Sequence, residues 1–274
     1  MIQIGIVIPA RNEQRYLRNT LERLKIQTMQ PEQVIIIDDN SIGGVPNLAE
    51  DFGVEIYKFP QQHENWVTDY KLASVFNLGF RFLKDNLDYV MVLGADHLLP
   101  NNYIEQVVTR MENRPKLVVA SGKIDNEWIV TPRGSGRLIK TSFFKKIGSV
   151  YPINWGFESY ILYKALQLGY EIDVFADIHS QTQRETKTNY KQKHFYNYGK
   201  AMQALGYPHL YAIGRCLVMS KRKGAANGFA MYKGFLSNHV QPYEQELREH
   251  VKNTHKFSLK HIDRFFEYGF GKAK

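Results

Sequence analysis

The sequence predicts an α/β protein whose sheet is mostly parallel, and three features carry that prediction. Two short runs rich in β-branched residues, one opening IGIVIPARNE at Ile4–Glu13 and one in VIIIDDNS at Val34–Ser41, each stop abruptly at polar residues, as buried strands do. Between them, Gln14–Thr28 spaces Tyr16, Leu17, Leu21, Leu24 and Ile26 as an amphipathic helix would. A third apolar run, Tyr89–Leu93, ends in Gly94-Ala95-Asp96-His97. Strand, helix and strand in that order form a βαβ unit with parallel strands, and open sheets of this kind bind ligands outside the carboxyl ends of their strands. Asp38 and Asp39 are thereby placed to meet a polar ligand, as are Asp96 and His97.

Further along, Pro100–Met111 has a helical pattern and Leu117–Ser121 reads as a strand. A glycine-rich turn at 132–136 precedes Arg137–Gly148, where Leu138, Ile139, Phe143, Phe144 and Ile147 suggest a strand running into a short helix. The loop Asn154–Glu158 sets a tryptophan beside an acid. A helix over Ser159–Leu168 is expected to end at Gly169, with a last strand at Tyr170–Phe175 and His179 just beyond it. From about residue 186 aromatic and basic residues interleave. The expected division is therefore a sheet domain over 1–185 and a mostly helical extension over 186–274.

The chain has 274 residues, 43% hydrophobic and 23% charged, enough for a full core. No apolar run approaches the roughly 18 to 20 residues of a membrane-spanning helix, and the N-terminal apolar run is short and reads as a core strand rather than a signal peptide. A single cysteine, Cys216, leaves no intramolecular disulfide, so a cytoplasmic setting is expected. The formal charge of +9, crowded after residue 180 at positions such as Arg184, Lys187, Lys200 and Arg215, points to an acidic partner or a solvated basic face. No zinc-finger, RRM or helix-turn-helix signature accompanies it, and no nucleic-acid partner is expected.

Taken in order, these pieces resemble glycosyltransferase family 2, the inverting GT-A enzymes that use nucleotide-sugar donors. IVIPARNE and IIIDDNS resemble the first two strands of that family. Asp69-Tyr70-Lys71-Leu72-Ala73 with Asn77-Leu78-Gly79 resembles the segment where a basic residue meets the diphosphate. GADHLLP resembles the DxD element, FFKKIG the helix before the acceptor site, and WGFESYILYKALQLGY the segment with the catalytic base. His179 and Phe195–Lys200 fall where the family has a metal-ligating histidine and a basic aromatic helix. Two departures stand out: Gly94 replaces the first acid of DxD, and the base segment reads Phe157-Glu158-Ser159. Counting back from Gly169 aligns Glu158 with the base, whereas aligning on Leu162 would put Ser159 there, a residue unable to act as a base unaided.

The resemblance implies a Rossmann-like, mixed but mostly parallel sheet of GT-A type, and a hexosyl transfer from a UDP- or GDP-sugar to a glycan, lipid-linked or protein acceptor. It implies Glu158 as catalytic base, and Pro9, Arg11, Glu13, Asp39, Lys71 and Asp96 as the nucleotide-binding set. Asp96, His97 and His179 are the implied ligands of Mn²⁺ or Mg²⁺, since carboxylate oxygen suits either ion and imidazole favours Mn²⁺. The basic aromatic tail suggests a peripheral seat on the anionic inner face of a membrane. A soluble enzyme of the same family is the nearest alternative. A non-catalytic nucleotide-binding or scaffold protein is suggested by Gly94 and Ser159. A nucleotidyltransferase fits less well, because 9–13 contains no glycine.

Overall fold

The computed structural model describes residues 2–42, 45, 48–62, 69–125, 131–184 and 192–256. Strand β1 (Ile4–Ala10) pairs in parallel with β2 (Gln33–Asp38) and with β4 (Tyr89–Val92), and β2 pairs in parallel with β3 (Glu55–Lys58). Strand β7 (Arg137–Lys140) runs antiparallel to β4 and to β6 (Leu117–Ile124). Strand β8 (Glu171–Thr182) lies parallel to β6 and antiparallel to the two-residue β5 (His97–Leu98). The resulting order is β3-β2-β1-β4-β7-β6-β8-β5.

Period-two burial explains the uninterrupted apolar runs. Ile4, Ile6 and Ile8 of β1 and Ile36 of β2 join one core with Leu17, Leu21 and Leu24 of helix α1 (Gln14–Lys25). Ile35 and Ile37 face the other way, into a second core with Val75 of a later helix (Leu72–Arg81). Both faces are covered, so neither shows a polar alternation. The Asn-x-Gly of that later helix serves packing. A Cβ on Gly79 would lie 2.4 Å from Val7 Cγ1, and the Asn77 amide brackets the Tyr151 backbone with two 2.8 Å hydrogen bonds.

Three short elements were not expected: α2 (Leu48–Phe52), β3 and β5. The helix over Leu72–Arg81 is α3, and α4 (Tyr103–Glu112) and α5 (Thr141–Lys146) follow where expected. Strand β8 is longer than Tyr170–Phe175, because its pairing with β6 skips from Gly122↔Phe175 to Lys123↔His179 and then resumes. His179 is therefore inside the strand, past an irregularity that hides its second half from a periodicity argument.

The chain divides into two compact units. One comprises Met1–Val67, Lys71–Ile153 and Lys164–Thr188; the other comprises Thr68–Tyr70, Asn154–Tyr163 and Asn189–Lys274. The second unit thus takes in the start of α6 (Phe157–Gln167), as well as α7 (Gln192–Leu205), α8 (His209–Lys223), α9 (Ala225–Phe235) and α10 (Gln245–Thr254). Helices α7 and α9 cross at glycine: a Cβ on Gly199 would fall 1.9 Å from the Met231 carbonyl oxygen, and one on Gly234 1.9 Å from that of Tyr196. Many of the tail's aromatics are core. Phe195 and Phe235 are buried together, and Tyr243 is buried beside Trp155.

Candidate active site

The ends of β1 and β2 are tied to each other by side chains. Asn12 and Asn40 both adopt left-handed backbone, with φ of 57° and 60°, a region where asparagine is enriched among non-glycine residues. The Asn12 N–H donates to Ser41 Oγ at 3.0 Å, and the Ile42 N–H donates to Asn12 Oδ1 at 2.8 Å. Asp38 turns inward and accepts the Ser41 N–H at 3.0 Å. Pro9, paired with Ile37, lies past the last pairing of β1 with β4 at Val7↔Val92. Within this frame Arg11 approaches Asp39 at 3.6 Å, and the Asp39 side chain is only 5% exposed.

At the end of β4 a second cluster forms. Asp96 Oδ2 accepts the Arg184 Nε–H at 2.9 Å, and the same guanidinium meets Glu13 Oε1 at 2.8 Å. Arg184 also lies over the Tyr16 ring, 5.4 Å from its centroid. Burial pushes the Glu13 carboxyl above its ordinary range; Arg184 opposes this and the neighbouring Asp96 adds to it. Glu13 Oε2 is buried with no hydrogen-bond partner among the described residues. Arg184 stood out in the sequence only as one of many late basic residues, since nothing local links it to Asp96.

His97 departs from its expected role as a metal ligand. The ring is 1% exposed, with Nδ1 2.6 Å from Ser135 Oγ and Nε2 2.8 Å from Ser180 Oγ. Ser135 Oγ accepts the Gly94 N–H, and the Ser180 hydroxyl donates to the Lys123 carbonyl. One proton arrangement satisfies every atom: Ser135 O–H donates to Nδ1, and Nε2–H donates to Ser180. The imidazole is then neutral with no lone pair left for an ion, and burial lowers its pKa to about 4. The same network explains the missing first acid. A Cβ on Gly94 would stand 3.0 Å from Ser135 Oγ and 3.3 Å from Asp96 Oδ1, so a carboxylate there would crowd both.

His179 is half exposed on β8, and its Nδ1 pairs with Asp125 Oδ1 at 2.6 Å across the β6–β8 pairing. Among the described residues no three His, Cys, Asp or Glu gather as ligands, so the expected trio of Asp96, His97 and His179 is not brought together in this structure. Mg²⁺-type sites use one or two carboxylates with phosphate oxygens completing the shell. Glu13 and Asp96 are two carboxylates converging on one cation, with one buried carboxylate oxygen unsatisfied, so their donor chemistry fits a divalent ion without the two histidines.

Lys71 is exposed at the start of α3. Glu158 belongs to the second unit and sits in the first turn of α6, where an acid also favours the helix dipole. The turn before it needs glycine: Gly156 has φ of +79°, and its carbonyl accepts the Ser159 and Tyr160 N–H groups at 2.9 Å. Nearby in the same unit, Lys200 lies 4.5 Å from the Trp155 ring centroid and 4.7 Å from that of Tyr196.

A family model described as Glycosyl transferase family 2 matches residues 5–169, from β1 through α6. The chain belongs to glycosyltransferase family 2. Among family-named relatives it is 24% identical over 118 residues to EpsH of Bacillus subtilis strain 168, which carries a glycosyltransferase name, covering 43% of this chain and 33% of that one. It is 23% identical over 116 residues to the glycosyltransferase GlyG of Streptococcus pneumoniae serotype 4, covering 42% and 37%. The chain thus spans about a third of the length of these relatives. In fold it is similar to the mannosyltransferase PcManGT from Pyrobaculum calidifontis in complex with GDP-Man and Mn²⁺, with a TM-score of 0.59 at 14% identity over 85% of this chain and 73% of that one. It is also similar to S. aureus TarS 1–349 in complex with UDP-GlcNAc, with a TM-score of 0.55 at 11% identity over 97% and 79%. The mixed α/β sheet of this family 2 chain is accordingly of GT-A type.

Proposed function

We propose that this family 2 chain moves a hexosyl group from a UDP- or GDP-sugar to an acceptor hydroxyl with inversion. The observation that carries the proposal is the convergence of Arg11, Glu13, Asp39 and Asp96 at the carboxyl ends of β1, β2 and β4, where open parallel sheets bind nucleotides. Asp39, oriented by Arg11, accepts hydrogen bonds from the nucleoside, beside Pro9. Lys71 adds positive charge toward the diphosphate. Asp96 and Glu13 would hold the Mn²⁺ or Mg²⁺, which would supply Lewis-acid stabilisation of the leaving diphosphate. The GDP-Man, UDP-GlcNAc and Mn²⁺ held by the structural neighbours support this donor class.

Glu158 takes the acceptor proton as the acceptor oxygen bonds to the anomeric carbon. The bond to the diphosphate breaks on the opposite face, and its electron pair leaves with the phosphate oxygen. General-base help is typically worth about 10² to 10⁴ in rate, so Glu158→Gln should cut kcat by that factor while donor affinity stays within about twofold, read by release of nucleoside diphosphate. An acceptor phosphate, already ionised at neutral pH, would reduce that loss. Unchanged turnover on a hydroxyl acceptor would remove Glu158 from this role, and failure of the wild-type chain to bind any donor would favour the non-catalytic reading.

A peripheral seat on an anionic membrane is supported by α8. Leu210, Ile213 and Leu217 recur at i, i+3 and i+7 and are 72%, 38% and 61% exposed, and Lys221, Arg222 and Lys223 follow at the helix end. Apolar side chains beside lysines suit a bilayer interface. Among the described residues no helix is long and apolar enough to cross a membrane. Co-sedimentation with anionic vesicles at low salt tests this seat, and absence of binding contradicts it.

A further inference from the structure

Arg184 is held in place by its own strand end. Thr182 pairs with His97 across β5 and β8, the Gln183 N–H donates to the Asp96 carbonyl at 2.8 Å, and the Thr182 hydroxyl donates to the Arg184 carbonyl at 2.9 Å. The Gln183 amide reaches α1, donating to the Tyr16 carbonyl at 2.9 Å and accepting from Asn19 at 2.7 Å. The backbone that carries Asp96 and the backbone that carries Arg184 are therefore stitched together. The Arg184 side chain, 49% exposed, spans the two carboxylates and closes the space between them.

A divalent ion bound to carboxylate oxygen sits about 2.0–2.2 Å from it. A guanidinium at 2.8–2.9 Å from an oxygen on each carboxylate competes for the same lone pairs and repels a second cation. We propose that Arg184 is the resident counter-ion of the Glu13–Asp96 pair, and that Arg184 and the divalent ion are alternative occupants of it. The proposal rests on the reading of this pair as the ion site. With both carboxylates ionised the trio keeps one net negative charge, so Arg184 alone does not neutralise the pair. A dication with a diphosphate can take its place, and the freed fork, which matches phosphate as well as carboxylate, gains a new anion. Ion binding and diphosphate binding are then coupled, each raising the other's affinity.

The test is titration of Mn²⁺ alone into the full chain, with free Mn²⁺ followed by electron paramagnetic resonance, and then the same titration with UDP or GDP present. Without nucleotide, Arg184→Ala and Arg184→Gln should bind Mn²⁺ about tenfold or more tightly than wild type, as loss of two ion pairs allows. Arg184→Lys, with a charge but no fork, should fall between. Asp96→Asn added to Arg184→Ala should remove the gain. Adding nucleotide should strengthen Mn²⁺ binding to wild type. Equal Mn²⁺ affinity of wild type, Arg184→Ala and Arg184→Gln without nucleotide overturns the exchange and leaves the ion site standing. No Mn²⁺ binding by any variant, with or without UDP or GDP, overturns both.

Discussion

Acidification should weaken the fold through His97. Its ring is buried and neutral between Ser135 and Ser180, with a pKa lowered to about 4 from an ordinary value of 6.5. In the unfolded chain the imidazole gains its proton as pH falls through 6.5, whereas in the folded chain it stays neutral until about 4. The unfolded state therefore binds more protons across that window, and stability present above pH 6.5 is lost as pH falls toward 4. At about 1.4 kcal/mol per pH unit, the loss is roughly 3 kcal/mol. A non-titrating His97→Gln variant isolates the effect. Its side-chain amide can still bond a serine, so it should start less stable than wild type at pH 7.5 through imperfect packing. Urea unfolding of both chains from pH 7.5 to 4.5 should show the gap between them narrowing as pH falls. A gap that stays constant would refute the buried neutral bridge, and with it the explanation for Gly94.

Three further outcomes follow from the geometry. Gly136→Ala should cost about 2–4 kcal/mol in denaturant unfolding, because φ is +79° and the new Cβ would lie 2.8 Å from the Tyr103 hydroxyl and 2.9 Å from His97 Cε1; a cost below about 1 kcal/mol would mean that this loop relaxes freely. Asp39→Asn should weaken nucleotide binding by about tenfold, since it removes charged hydrogen-bond acceptors and the counter-charge of Arg11; unchanged affinity in calorimetry would take Asp39 out of the pocket. Leu217→Glu should lower partition onto anionic vesicles by about tenfold or more, through lost apolar burial and added repulsion, while donor binding is unaffected; equal partition would leave the α8 stripe without a role in membrane binding.

Most of the sheet could be read from the sequence because a strand covered on both faces leaves an uninterrupted apolar run, as in Ile4–Ile8 and Val34–Ile37. The elements that escaped lack that mark. Strand β3, Glu55-Ile-Tyr-Lys58, pairs with β2 at the sheet margin and has no fully buried residue, and β5 is two residues long. In β8 the irregular pairing around Asp177 breaks the alternation. The candidate site was legible where it follows strand ends, as with Arg11, Glu13, Asp39 and Asp96, which the structure pairs with one another or with Arg184. Roles set by distant partners were not. The hydroxyls that occupy His97 come from residues 38 and 83 positions away, and Arg184 reaches Asp96 across 88. An isolated histidine after an acid reads as a ligand until those hydroxyls are in place. An isolated arginine in a basic segment likewise reads as surface charge.

Calorimetric titration of UDP, GDP and their sugar conjugates into the full chain, in Mn²⁺, in Mg²⁺ and in EDTA, tests most directly the claim that the β1, β2 and β4 strand ends hold a nucleotide-sugar donor. Saturable binding of one diphosphate class, strengthened by a divalent ion and weakened by Asp39→Asn, is the predicted result. Absence of binding by every nucleotide under all three conditions would contradict it.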